Sequence, residues 1–102
     1  MEILFLYDRL LDISRQQLEA LKRRDLKLVE KLTEQREEVT GRIIDIMGKK
    51  DFRDKGHLFH RKAHEYTESI LTIDEEIRSL LLDELYEHAL KLSRLELLKE
   101  EL

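Results

Sequence analysis

No glycine or proline interrupts the chain between His57 and Leu102, and that absence limits the fold more than any other feature. Proline is missing throughout, and glycine stands only at positions 41, 48 and 56. These are the residues that end helices and open turns, so a chain nearly without them predicts an all-α fold built from long elements. Unbroken, the third segment would be about 69 Å long at 1.5 Å per residue. The first two segments would each reach only about 33 Å. At 102 residues the chain reads as one helical bundle domain spanning 1–102.

The first segment runs from Glu2 to Arg23. Leu4, Tyr7, Leu11, Ser14, Leu18 and Leu21 recur at alternating steps of three and four, and Leu10 and Ile13 widen that stripe. Asp25 is the expected N-cap of a second segment, Leu26 to Met47. There Val29, Leu32, Arg36, Val39, Ile43 and Ile46 fall in heptad a/d spacing. So short a turn predicts an antiparallel hairpin. Counting outward from the turn puts Tyr7 opposite Gly41, and a mid-helix glycine costs roughly 1 kcal/mol against alanine. The expectation is therefore that the Tyr7 ring packs over the gap. The stretch "GKKDFRDKG" (48–56) is the expected loop, and it sets residues 57–78 against the second segment.

Residues 79–102 then pass the hairpin uncovered, although they are rich in leucine. The apolar register changes there: Tyr66, Ile70, Ile73, Ile77 and Leu80 follow one phase, and Leu81, Leu85, His88, Leu92 and Leu95 another. A stutter of this kind rotates the apolar face around the helix. An uncovered leucine stripe predicts association by fold-back as a fourth helix, self-association, or capture of another protein's helix. The expected architecture is a hairpin plus a long third helix, a three- to four-helix bundle that self-associates. Ile73, Ile77, Leu81, Leu85, Leu92 and Leu95 are the expected partner-binding residues.

Charge narrows the function classes. Charged residues make up 41% of the chain and nearly cancel, with a formal net charge of −4, whereas phosphate binding requires a basic excess. The one basic cluster, "LKRRDLK" (21–27), fits a helix end and turn. Cysteine is absent, which removes disulfides and zinc–thiolate sites. The opening "MEILFLYDRL" has neither a secretory n-region nor the length to span a bilayer. A cytoplasmic protein with no nucleic-acid partner, no membrane insertion and no cofactor is expected.

Two constellations resemble chemical sites. His57, His60 and His64, with Glu68, can share one helix face and are metal-ligand types. Residues in line along one helix converge poorly on a single ion, and a solvated helix start accounts for them better. Arg36 occupies an apolar-seam position and could clamp a substrate carboxylate. It could equally reach the surface or pair with an acid such as Asp12 or Glu37.

The stretch "ILTIDEEIRSLL" (70–81) is similar to the Ile-Asp helix that opens the small all-helical chorismate mutases. Here it lies in the C-terminal half and is followed by the acidic "LDELYEH". Only Arg36 offers a core-facing cation, too little for the cationic pocket that an anionic substrate requires. No nucleophile triad, phosphate loop or paired catalytic carboxylates appear, so the chain is not expected to be an enzyme.

More of the chain resembles a flagellar type III export chaperone of the FliT kind. In "LLDISRQQLEALKRRDLKLVEKLTEQREEVTGRI" (10–43), a leucine-rich helix, the Asp25 turn and a helix bearing Leu28, Leu32 and Arg36 resemble that family's opening hairpin. In the second half, Ile73, Asp74 and Ile77 are similar to its Leu-Asp-x-x-Ile helix. The resemblance implies a small cytoplasmic helical bundle that binds a late flagellar substrate, typically the filament-cap protein, and presents it to the export apparatus. FlgN-type chaperones of hook-associated proteins are a near alternative. In this family a C-terminal helix can mask the client site, but no break here separates a third helix from a fourth. A generic coiled-coil adaptor or homodimer using the same stripe is the non-flagellar alternative.

Overall fold

The computed structural model describes the backbone of residues 2–49 and 57–101, and side chains over 2–49 and 59–87. Three helices follow in order: α1 (Glu2–Lys22), α2 (Leu26–Met47) and α3 (His57–Glu101). Among the described residues there is no strand, and the irregular positions are 23–25 and 48–49, as expected. The remainder of the expected 48–56 loop lies outside the described residues.

The α1–α2 turn is built from two overlapping caps. The Asp25 amide donates to the Ala20 carbonyl at 2.9 Å and the Arg24 amide to Leu21 at 3.0 Å, the paired bonds of a Schellman ending. That ending needs a left-handed residue, and Arg24 supplies it with φ 59°. Asp25 then caps α2, its Oδ1 accepting from the Leu28 amide at 3.2 Å. One residue thus closes the first helix and opens the second.

Helix α1 carries two adjacent stripes. Ile3, Leu6, Leu10, Ile13, Gln17 and Ala20 are all buried and recur at alternating steps of three and four. Beside them run Leu4, Tyr7, Leu11, Ser14, Leu18 and Leu21, which are buried or half-buried. The Ser14 hydroxyl donates to the Leu10 carbonyl at 2.9 Å, so its burial leaves no unpaired donor. A helix with two apolar stripes can serve two neighbours, and α1 does. Gln17 reaches Thr33 and Arg36 on α2, while the Tyr7 ring stacks on Tyr66 of α3 with centroids 6.3 Å apart.

Helix α3 therefore packs on α1, not on α2 as the loop-based pairing expects. Tyr7 meets Tyr66 and Arg24 meets Glu84, so residue numbers rise together and α1 and α3 run parallel. The expectation from the 48–56 loop considered only the second segment as partner for residues 57–78; the two stripes of α1 make it the shared element. From the described part of α3, Phe59 and Ile70 enter the core with Leu32, Val39 and Ile43 of α2. Each such side chain is worth roughly 1.5–3 kcal/mol when fully buried.

Gly41 has no companion. A β-carbon built there meets nothing within 4 Å. Tyr7 lies against Tyr66 instead, and its hydroxyl points to the Met47 sulfur at 3.9 Å. The expected packing of Tyr7 over Gly41 does not occur, because the ring belongs to the α3-facing stripe.

Helix α3 is straight from His57 to Glu101 and does not fold back. The radius of gyration is 19.4 Å, against about 13 Å for a compact domain of this length. The longest dimension is 70 Å, about what 45 helical residues span. Arg24, in the hairpin turn, pairs with Glu84. Cover from the hairpin thus ends near Glu84, and residues 85–101 run on for about 26 Å.

Candidate partner-binding groove

Between α2 and α3, on the half of the bundle nearer the turn, lies an open cleft. Gln17 and Leu21 of α1 form its floor, Val29, Thr33 and Arg36 one wall, and Asp74, Ile77, Arg78, Leu81 and Leu82 the other. A second depression beside the turn shares Leu21 and Leu81 with it and adds Leu26, Leu80 and Glu87. The two depressions meet at Leu21 and Leu81, with polar and charged side chains interspersed among the leucines of both.

A hydrogen-bonded chain closes the inner end. Arg36 grips Asp74 with both terminal nitrogens, Nη1 to Oδ1 and Nη2 to Oδ2, each at 2.7 Å. Its Nη1 also donates to Gln17 Oε1 at 3.1 Å. Gln17 Nε2 donates to the Thr33 hydroxyl at 3.2 Å, and that hydroxyl donates to the Val29 carbonyl at 2.8 Å. Fork-on-fork pairing of this type is the strong form of a charge-assisted bond. The hydrogen bond to Asp74 raises the Arg36 pKa above its ordinary value, burial opposes this, and the charge of Asp74 adds to the rise. Arg36 therefore stays charged in the seam of α2, and its partner is Asp74 rather than Asp12 or Glu37. No described buried side-chain nitrogen or oxygen lacks a partner.

The expected partner-binding residues divide by phase. Ile73 is half-buried against the core and Ile77 half-buried at the edge of the cleft. Leu81 and Leu85 are exposed at 47% and 65%, beyond the point where the register changes. The side chains of Leu92 and Leu95 lie outside the described residues. Leu82, Tyr86 and Leu26 are exposed too; they belong to neither expected stripe, and only the position of the turn beside α3 brings Leu26 close to Leu80 and Leu81. Gln17 and Asp74 were missed as a pair with Arg36. The signal available was a glutamine within a buried heptad stripe and an acid inside the Ile73–Ile77 seam.

The histidines do not converge. His64 Nε2 lies 3.1 Å from Glu68 on the exposed surface, and His60 meets the edge of Phe59. Among the described residues no group of three His, Cys, Asp or Glu is placed to hold a metal ion; the side chain of His57 lies outside them. In the basic cluster, Lys22 pairs with Glu19 and Arg24 with Glu84. Among the described residues no helix is long and apolar enough to cross a membrane.

Comparison with protein-family models, curated proteins and solved structures finds no match.

Proposed function

We propose that this chain is a cytoplasmic flagellar export chaperone of the FliT kind. Its client is a late flagellar substrate, the filament-cap protein or a hook-associated protein, held by an amphipathic helix laid in the leucine-lined groove. The observation that carries this reading is the exposure of Leu81, Leu82, Leu85 and Tyr86 where α3 leaves the hairpin. Contiguous exposed apolar surface of this sort marks interaction sites, and a helix lying in an apolar groove is a recurrent solution. The flagellar assignment rests on the resemblance through Leu28, Leu32, Arg36, Ile73, Asp74 and Ile77. Engagement of Arg36 by Asp74 and Gln17 weighs against a chorismate-mutase-like site, which would need that cation for its substrate.

Self-association through the same surface is the second reading, favoured by the straight extension of α3 past its cover. Affinity capture from the source organism, with sedimentation of the purified chain, separates the two. A flagellar axial protein as the stoichiometric catch supports the chaperone. A tight dimer that captures no axial protein supports the adaptor.

A further inference from the structure

The chain has one vacant seat for a helix and one stretch of helix without a seat. Helices α2 and α3 both pack on α1, and among the described residues no Cα of α2 comes within 8 Å of one in α3. The cleft left between them has two walls, Leu26 and Val29 on α2 and Leu81 and Leu82 on α3, and it ends inward at the Arg36–Asp74 pair. The unseated stretch is 85–101 of α3, about 26 Å long. Within it Leu85, Leu92 and Leu95 share one helical face, and Leu90 and Leu97 fall nearly opposite at 3.6 residues per turn. A helix apolar on two opposite faces needs a neighbour on each, and a cleft with two walls offers both. Helix α3 is straight, so it cannot lay its tail in its own cleft.

We infer that the occupant is the α3 tail of a second copy, exchanged in both directions: each copy lays residues 90–101 in the other's cleft, antiparallel to α3 and beside residues 74–85. This deepens the self-association reading, does not depend on the flagellar assignment, and makes a client helix the competitor of a tail. The direction follows from shape. The tail leaves the bundle past the turn, so in a parallel pair both hairpins stand at one height and neither reaches the other's tail. Turned about a two-fold axis near Glu87, each hairpin lies alongside the other's tail. Residues 85–101 carry three basic and four acidic side chains, too even a balance to drive the pairing or oppose it, so burial has to hold it. A fully buried leucine removes about 100 Å² from water, and the five tail leucines of both copies together remove about 1,000 Å². The cleft walls they cover add a comparable area, which brings the exchange to the about 1,200–2,000 Å² of a stable interface. One tail seated alone falls short of that.

The test is complementation between full-length chains, read by sedimentation, with circular dichroism of each protein. Leu26→Asp/Leu82→Asp spoils the cleft at two exposed positions, and Leu92→Asp/Leu95→Asp spoils the tail. The wild-type chain sediments as a dimer, and each variant alone dimerises at least about tenfold more weakly while its bundle stays folded. An equimolar mixture of the two variants re-forms a 1:1 dimer, because the sound tail of the first fits the sound cleft of the second. A cleft variant that dimerises like the wild type, a mixture without heterodimer, or a monomeric wild type overturns the inference; the last of these leaves client capture untouched. Cross-linking is an independent measurement, since the chain has no cysteine of its own. After mixing and re-equilibration, Leu26→Cys and Leu92→Cys chains are joined to each other by a short bismaleimide. Leu92→Cys linked chiefly to itself places tail on tail and overturns the exchange.

Discussion

The Arg36 guanidinium and the Asp74 carboxylate meet through two parallel bonds of 2.7 Å, joining α2 to α3 across a cleft whose floor is α1. Both side chains are about three-tenths exposed or less, so water screens the pair only in part. Removing one partner leaves the other charged, half-buried and without its counter-ion. Arg36→Ala or Asp74→Ala is expected to cost about 1–3 kcal/mol, the range for leaving a buried polar group without its partner. The double variant should cost less than the sum of the singles, with a coupling of about 1–2 kcal/mol. Urea unfolding of the four proteins measures this; additive losses would show that the pair is not coupled.

Much of this architecture was legible in the chain. The heptad of Val29, Leu32, Arg36, Val39, Ile43 and Ile46 faces inward, Asp25 caps α2, and the segment free of glycine and proline is one helix. The choice of neighbour for α3 was not legible from the loop, because loop length does not say which face of a hairpin the next helix takes. That information sat in the two stripes of α1 taken together: Ile3 to Ala20, diluted by a glutamine at position 17, meets α2 and leaves the Tyr7 stripe for α3. The Tyr7 ring illustrates the same point: its spacing placed it inward, but not against which helix. In the groove, the phase change at Leu81 could be read directly, whereas Leu26 depends on the turn standing beside α3.

Gly41 offers an independent check on the packing. With open space around its missing β-carbon and no ring using the gap, alanine there gains helix propensity at no steric cost. Gly41→Ala is expected to stabilise the protein by about 1 kcal/mol. A destabilised variant in thermal or urea unfolding would mean that something does occupy the gap.

Tyr7 should leave a mark at alkaline pH. Burial raises its pKa above the ordinary value near 10.0, so the folded state holds the phenolic proton after the unfolded chain has released it. The stabilisation is fully present below about pH 10 and is lost as pH climbs through the raised folded value. Tyr7→Phe should flatten that alkaline decline while leaving stability at neutral pH little changed. Identical pH profiles for the two proteins between pH 9 and 11 would contradict the assignment.

The central claim is that the exposed leucines of α3 serve a partner rather than the fold, and Leu81→Asp/Leu85→Asp tests it most directly. Both side chains stand in solvent at the end of the hairpin, so the double variant should keep its helicity and its unfolding midpoint. Each leucine is worth roughly 1.5–3 kcal/mol once buried on a partner, and charging both should weaken the complex by at least about a hundredfold. The measurement is titration calorimetry of the wild-type and variant proteins with the filament-cap or hook-associated protein, alongside circular dichroism of each. Loss of binding with an unchanged fold is the expected result; undiminished binding, or collapse of the helical domain, would contradict the account.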